Sequence, residues 1–263
     1  MATQELASVD GVISPTTEAT IPLPDDGLYR GDGVFEVIRL YEGYPFALHQ
    51  HLDRLERSAA AIELPVDREA VERELDALLN EIGRADAQLR IVITRGGRRI
   101  LLIENLPAVA ASVRLATVTY QPTVILTGVK SLSYAANMQA TRLAQGKGAD
   151  EALLVRPDGT VLEPPTSTIF WVSPEGGLRT PSLSAGILES ITRGHIVQAL
   201  HVEEGEFDVS DLLAGHEAFL ASTVREVQPV ASIDGRQFEV QGPRTLEAAD
   251  AFQRSLKETI API

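Results

Sequence analysis

Short strand-forming runs alternate with amphipathic segments along the chain, and this alternation restricts the fold more than any other feature of the sequence. Residues 33–41 are rich in β-branched and aromatic side chains, and Glu42-Gly43 is a turn signal that joins them to an extended run at 45–49. In residues 51–63, leucine, alanine and isoleucine instead recur at helical spacing. Strands that form a core and helices that cover it are typical of an α+β fold.

The same patterns extend through the rest of the chain. They predict helices at about 67–82, 134–147 and 243–257, and another that begins near 189–192. They predict strands at 88–94, 100–104, about 112–120, 124–129, 151–156, 161–163, 168–172, 217–221 and about 226–233. Residues 1–27 form a polar, proline-containing lead.

A proline-containing connector divides the predicted elements into two sets. We predict an N-terminal domain over residues 1–120, a connector at 121–123 and a C-terminal domain over 124–263, with a cleft between the domains. Each part is long enough for a core of its own.

Composition removes several classes of function. The net charge of −14 makes nucleic acid an unexpected partner, and the absence of cysteine excludes disulfides and thiolate chemistry. We find no apolar run of membrane length and no basic, apolar leader, so we expect a protein that is neither exported nor in a membrane and predict the cytoplasm. His49 and His51 alternate, but no third ligand accompanies them, so we predict no metal site.

Lys130 stands between a predicted strand and a predicted helix. A lysine fixed at such a boundary can be withdrawn from water, which turns an ammonium into an amine able to form a Schiff base. The structural alternative is an ordinary solvated lysine.

A glycine-containing loop, 184–193, opens a predicted helix. The backbone amides of this loop and the Thr192 hydroxyl could bind a phosphate there, because the first turn of a helix has unpaired N–H groups. The alternative is an ordinary helix start in which Ser190 or Thr192 is the cap.

Two further stretches could contribute to phosphate binding. Ser222 and Thr223 place adjacent hydroxyls after a predicted strand, and Arg54 lies one turn into the helix that begins near His51. A hydroxyl-rich turn and a solvated arginine are the alternatives.

Glu163 lies in an apolar, proline-rich setting that is costly for a carboxylate without a cationic partner. A protonated pyridine nitrogen would be such a partner, and the carboxylate would keep that ring an electron sink. The alternative is an exposed glutamate at a strand end. The patterns at Lys130, at the phosphate-binding stretches and at Glu163 are explained together if the ligand is a phosphorylated aromatic aldehyde.

These stretches, in their order and spacing, resemble the fold type IV family of pyridoxal-phosphate enzymes over about residues 28–240. The family contains branched-chain aminotransferases, D-amino-acid aminotransferases and aminodeoxychorismate lyases. The matching stretches are 31–39 (Gly-Asp-Gly-Val-Phe-Glu-Val-Ile-Arg), 51–55 (His-Leu-Asp-Arg-Leu), 130–134 (Lys-Ser-Leu-Ser-Tyr), 148–152 (Gly-Ala-Asp-Glu-Ala), 163–170, 186–188 with 191–193, and 226–230 (Glu-Val-Gln-Pro-Val).

The resemblance implies a two-domain α+β fold, with a small N-terminal domain and a larger C-terminal domain that binds pyridoxal 5'-phosphate. It implies a homodimer in which a loop of the neighbouring subunit completes the active site. Lys130 would form the Schiff base, Glu163 would pair with the pyridine nitrogen and Tyr134 would bond the ring hydroxyl. The phosphate would be held by Arg54, Ile191, Thr192 and Thr223, beside which Ser222 offers a second hydroxyl.

Transamination in two half-reactions is the predicted chemistry, with Lys130 as the general base and amino-acid and 2-oxo-acid substrates. The sequence around Tyr134 and at 222–227 is more similar to the transaminases than to the lyases. A protein that binds the cofactor without turnover is the non-enzyme alternative.

The arginines bear on substrate choice. Arg30 and Arg98 are predicted to clamp the substrate carboxylate, beside Arg99 in the same loop, which favours a D-amino acid. Arg39 lies where branched-chain enzymes carry an arginine, which keeps an L-amino acid open. Arginines that only balance the acidic surface are the alternative.

Overall fold

The computed structural model describes residues 4–260. Contacts group the chain into two compact units. The first contains the described residues up to Ala108, Val129–Tyr134 and the described residues from Glu258, and the second contains Val109–Gly128 and Ala135–Lys257. The predicted connector at 121–123 therefore lies inside the second unit, and the segment that carries Lys130 belongs to the first.

The first unit is an antiparallel sheet covered by helices. Its elements are β1 (Leu6–Val9), β2 (Val12–Pro15), α1 (Asp26–Arg30), β3 (Gly33–Tyr41), β4 (Tyr44–Pro45), α2 (Leu48–Ala61), α3 (Arg68–Ile82), β5 (Ala87–Thr94) and β6 (Arg99–Glu104). The strands follow the order β2-β1-β6-β5-β3-β4 in the sheet.

One face of this sheet forms the core with α2 and α3. Val34 and Ile38 on β3 pack in one cluster with Leu52 and Leu55 on α2. Because side chains alternate along a strand, Glu36 lies on the same face as Val34 and Ile38. A carboxylate is thus built into the apolar layer under α2.

The second unit is a larger mixed sheet. Its elements are β7 (Val113–Thr119), α4 (Ala135–Gly146), β8 (Glu151–Val155), β9 (Thr168–Val172), β10 (Leu178–Pro181), α5 (Ile191–Ala199), β11 (Val202–Gly205), α6 (Val209–Ala214), β12 (Ala218–Ser222), β13 (Glu226–Ile233), β14 (Arg236–Gln237) and α7 (Pro243–Thr259). The strands follow the order β11-β10-β9-β12-β13-β7-β8, with β14 paired to β13. The pairs β10 with β11, β13 with β7 and β7 with β8 are parallel.

The predicted α+β class is confirmed, and several predicted elements are wrong. Val124–Leu126 is a 3-10 helix instead of a strand, since this apolar run pairs with no other strand in the described part of the chain. Residues 161–163 contribute only one isolated bridge, between Val161 and Val155. The run at 45–49 ends as a strand at Pro45, so His49 and His51 both lie in α2.

The polar lead contains a hairpin that was missed. Asp10 and Gly11 have φ angles of 52° and 88° between β1 and β2. An Asp-Gly pair with positive φ is typical of a tight hairpin turn. The turn pair was the available signal.

Candidate functional site

The backbone of Lys130 is fixed on two sides within the first unit. Its carbonyl accepts a hydrogen bond from the amide of Phe35 at 3.0 Å. Its own amide donates to Oγ of Ser58 on α2 at 3.1 Å. Leu132 donates to the carbonyl of Gly33 at 2.9 Å, so the segment runs along β3. The short connection between predicted elements is therefore a defined support for the lysine.

The Lys130 side chain lies against an aromatic pair. Its Nζ is 4.5 Å from the centre of the Phe35 ring, and the Tyr134 ring meets Phe35 edge to face at 5.4 Å. Lys130 is half-buried, whereas Lys147 and Lys257 are exposed. The two aromatic residues leave the ammonium less water than a surface lysine has.

Arg54 is buried in a cluster with Glu36 and His51. Its Nε and Nη2 donate to Oε1 and Oε2 of Glu36, each at 2.7 Å, and Nδ1 of His51 donates to Oε2 at 2.8 Å. Glu36 and His51 are fully buried. The alternative of a solvated Arg54 is wrong, because a carboxylate under α2 attracts the guanidinium into the interior.

The pKa values in this cluster follow from burial and charge. Burial alone would raise the pKa of Glu36, but the charge and hydrogen bonds of Arg54 and the hydrogen bond from His51 outweigh it and lower the pKa from 4.5 to about 2. Burial lowers the pKa of His51 below 6.5, against the pull of Glu36. Glu36 is therefore ionised and His51 neutral near pH 7.

Glu163 is held by a backbone amide in the second unit. The amide of Leu188 donates to Oε1 of Glu163 at 2.8 Å. Leu188 stands in the loop that leads into α5, and Glu163 is half-buried before two buried prolines, Pro164 and Pro165. Leu188 was missed, since a backbone donor leaves no trace in residue type.

The start of α5 separates the capping group from the candidate phosphate donor. Ser190 is the N-cap, and its side chain accepts from the amide of Arg193 at 3.3 Å. Thr192 is fully buried, and its Oγ1 has no hydrogen-bond partner among residues 4–260. A buried hydroxyl without a partner is costly, so this position suits a ligand acceptor. Ile191 begins the helix beside it.

Ser222 and Thr223 lie where β12 ends, and both are half-buried. The Ser222 hydroxyl accepts from the amide of Arg225 at 3.3 Å. Arg225 in turn forms an ion pair of 2.5 Å with the buried Glu151. Arg225 thus links the Ser222 turn to Glu151, and the sequence did not indicate this contact.

The candidate substrate arginines differ in their surroundings. The Arg30 side chain is 76% exposed, with Asp26 at 3.7 Å as its one ion pair among the described residues. Arg39 lies over the ring of Tyr41 at 4.6 Å. The remaining two have carboxylate partners: Asp10 at 2.6 Å from Arg98 and Glu74 at 2.8 Å from Arg99.

These groups fit pyridoxal 5'-phosphate in chemistry. A half-buried lysine, an anchored carboxylate and a buried hydroxyl with no partner are the groups that its aldehyde, ring nitrogen and phosphate would require. Within the described residues, no group of three or more histidines and carboxylates could hold a metal, and no helix is long and apolar enough to cross a membrane.

Comparison with known proteins agrees with this chemistry. Residues 33–233 match the family described as Amino-transferase class IV. The D-alanine aminotransferase of Bacillus licheniformis is 31% identical over 94% of this chain and 95% of that protein. The aminodeoxychorismate lyase of Bacillus subtilis (strain 168) is 30% identical over 96% of this chain and 94% of that protein. The structure of a branched-chain aminotransferase from Thermoproteus uzoniensis with norvaline matches with a TM-score of 0.85 and 29% identity. The match covers 96% of this chain and 95% of that chain.

The chain belongs to the class IV aminotransferases. It is a transaminase that depends on pyridoxal 5'-phosphate, and the predicted family, fold and cofactor are confirmed.

Proposed function

We propose that this transaminase moves an amino group between a D-amino acid and a 2-oxo acid, with Lys130 as its catalytic residue. One observation supports the assignment of Lys130 above the others. The chain has three lysines, and Lys147 and Lys257 are exposed, whereas Lys130 is half-buried and fixed through its own amide and carbonyl. A Schiff base requires a lysine, and a fixed, partly desolvated lysine is the reactive kind.

The chain's own groups divide the work. Pyridoxal 5'-phosphate, when bound, supplies the electron sink. The Lys130 amine takes the proton from the substrate Cα and returns one in the reverse sense. Glu163, fixed by the Leu188 amide, would keep the pyridine nitrogen protonated. Tyr134 would bond the ring hydroxyl, and the phosphate would be held by Arg54, Ile191, Thr192, Ser222 and Thr223.

Arg30 is the reason to prefer a D-amino acid. Its guanidinium is exposed, and its contact with Asp26 is long, so it is available to bind a carboxylate. Arg98 would complete the clamp by exchanging Asp10 for the substrate, since it already binds one carboxylate. Arg99, held by Glu74, supports the same loop.

A half-reaction panel tests the handedness. The purified protein, saturated with cofactor, is mixed with single amino acids while the visible absorbance band of the bound cofactor is followed. Loss of the band with D-alanine or D-glutamate, but not with L-leucine, is expected. Loss with L-leucine alone contradicts the D-amino-acid proposal and favours a branched-chain enzyme, for which Arg39 would be the substrate residue.

Variants separate Arg30 from its neighbours. Arg30→Gln is expected to raise the amino-acid concentration needed for half the rate by about tenfold, because one charge-assisted contact is lost, and to leave cofactor affinity unchanged. Arg73→Gln is the matched control, since Arg73 is similarly exposed and has an i,i+4 partner at 3.7 Å. Equal kinetics of the two variants would remove Arg30 from the site. Pyruvate release from aminodeoxychorismate without an amino acceptor would instead indicate the lyase.

We also propose a homodimer and a cytoplasmic location. Exposed apolar side chains support the dimer: Leu28 and Tyr29 in the first unit, and Val124 and Ile125, the latter two 86% and 80% exposed, in the second. Light scattering at the mass of two chains is expected. A single-chain mass at micromolar concentration contradicts the dimer.

A further inference from the structure

A glutamate that no part of the proposed chemistry uses lies at the centre of the first unit. Glu36 has no exposed surface and stands on β3 between apolar residues of the core layer. Both of its oxygens are occupied, by Arg54 and His51. A buried ion pair is often no more stabilising than an apolar pair of similar volume, so fold stability alone does not account for it.

The geometry of the cluster fixes one guanidinium. Arg54 binds both oxygens of Glu36 through two parallel hydrogen bonds of 2.7 Å, which define the plane of the guanidinium and its rotation in that plane. His51 lies three residues earlier on α2 and holds Oε2 from the side at 2.8 Å. The carboxylate cannot rotate away without breaking three contacts.

Glu36 also shares its backbone with the support of Lys130. Phe35, its neighbour on β3, donates its amide to the Lys130 carbonyl and carries the ring beneath Nζ. Neighbouring residues on a strand point to opposite faces, so one strand holds Lys130 with one residue and Arg54 with the next. The spacing between the two cationic side chains is thereby tied to a single rigid element.

We infer that Glu36, assisted by His51, is a positioning residue that orients the Arg54 guanidinium to bind the cofactor phosphate. The inference rests on the proposed role of Arg54. The carboxylate also balances the buried positive charge when no phosphate is bound, so the guanidinium keeps its place in the protein without cofactor.

The test compares two ligands that differ only by the phosphate. Dissociation constants of pyridoxal 5'-phosphate and of pyridoxal are measured by absorbance titration of the full-length apoprotein. Glu36→Gln is expected to weaken the binding of pyridoxal 5'-phosphate about tenfold and the binding of pyridoxal less than about twofold. The reason is that Arg54, no longer oriented, loses one charge-assisted hydrogen bond to the phosphate. The two constants are compared as a ratio, the dissociation constant of pyridoxal divided by that of pyridoxal 5'-phosphate, which falls when phosphate binding is weakened. Glu104→Gln, which breaks the pair with Arg90 on the neighbouring strand, is the control and should leave this ratio unchanged.

A second variant distinguishes failure of the inference from failure of the proposed site. Arg54→Lys keeps the charge but loses the bidentate geometry, and it should lower the same ratio. If Arg54→Lys lowers the ratio and Glu36→Gln does not, the inference is overturned while the site stands. If neither variant changes it, Arg54 is not the phosphate ligand. If only Glu36→Gln changes it, Glu36 does not act through Arg54, and the inference is again overturned.

Glu36→Asp covers the case in which Glu36→Gln does not fold. Aspartate keeps the negative charge beside Arg54 but is one methylene too short to hold both bonds. The ratio should again fall, and a ratio equal to that of the unmodified protein contradicts a positioning role.

Discussion

Arg54 on α2 and Thr192 on α5 are both proposed as phosphate ligands, and their surroundings in the protein without cofactor differ. Arg54 is charged and bound through two of its nitrogens by Glu36. Thr192 is neutral, fully buried and without a partner for Oγ1 in the described structure. Both groups are costly to bury without a partner, but an unpaired charge costs far more than an unpaired neutral hydroxyl, so Arg54 needs a balancing partner before the ligand binds.

This difference predicts a division between stability and binding. Removing the charged donor should destabilise the protein itself, because it leaves a carboxylate buried alone. Removing the neutral donor should affect only the cofactor. The following variants test that division, from the largest expected effect to the smallest.

Arg54→Ala is expected to lower the free energy of unfolding of the apoprotein by about 3–5 kcal/mol, since Glu36 is left uncompensated. Urea unfolding followed by circular dichroism measures it. Arg90→Ala, which breaks the half-buried pair with Glu104, is the control and should cost less than about 1 kcal/mol. Equal losses for the two variants would remove the special status of the Arg54 cluster.

Acid should weaken the first unit through the same cluster. The pKa of Glu36 is lowered to about 2 from 4.5, so its contribution is complete above pH 4.5 and is lost as the pH falls toward 2. It amounts to on the order of 3 kcal/mol. The lowered pKa of His51 adds a decline that begins below pH 6.5, because the unfolded chain binds that proton first.

The acid dependence is tested by measuring the free energy of unfolding at three pH values. These are near neutral pH, in mild acid, and in stronger acid just above the pKa of Glu36. Glu36→Gln should lose less stability over the acid part of this range than the unmodified protein does. An identical decline in both proteins would mean that other carboxylates cause the acid sensitivity.

Thr192→Val is expected to leave the stability of the apoprotein unchanged or up to about 1 kcal/mol higher, and to weaken cofactor binding about tenfold. Thr180→Val is the matched control. Thr180 is also fully buried, but its Oγ1 donates to the Ile169 carbonyl at 2.8 Å, so this variant should lose about 1 kcal/mol and keep its cofactor affinity. If Thr192→Val loses stability but keeps its cofactor affinity, while Thr180→Val binds the cofactor more weakly, the Thr192 hydroxyl is not reserved for the ligand.

Ser58→Ala should have the smallest effect. It removes the acceptor for the Lys130 amide and should cost about 1 kcal/mol of stability. The rate of cofactor attachment should fall with it, since Lys130 loses one of two backbone supports. Ser133→Ala is the control, because it removes only an exposed bond of 3.2 Å to the Gly31 carbonyl, and it should change neither quantity measurably. Equal attachment rates in the two variants would contradict a supporting role for Ser58.

The sequence predicted the parts of the fold whose pattern is local. Residues 33–41 and 168–172 were predicted as strands and are β3 and β9, because periodicity and β-branched content decide such runs. The run at 124–129 is similarly apolar but lacks a partner strand among the described residues, so it begins with a short 3-10 helix. Pairing is a long-range property that composition does not carry.

Some groups of the site could also be predicted from the sequence, and others could not. Lys130, Glu163 and Thr192 could be selected because their residue types suit the cofactor. What holds them could not, since Leu188 acts through an amide and Ser58 lies 72 positions from Lys130. Glu36 did leave a signal, a single carboxylate in an apolar strand, and such a residue demands a buried cation.

Lys130 is proposed to carry the cofactor, and the attachment point can be identified directly because the chain has three lysines. The cofactor-loaded protein is reduced with borohydride, digested and mapped by mass spectrometry. The reduced phosphopyridoxyl group is expected on Lys130 alone, in a protein whose Lys130→Arg variant carries no label. A label on Lys147 or Lys257, or the same total label in Lys130→Arg, would contradict the account.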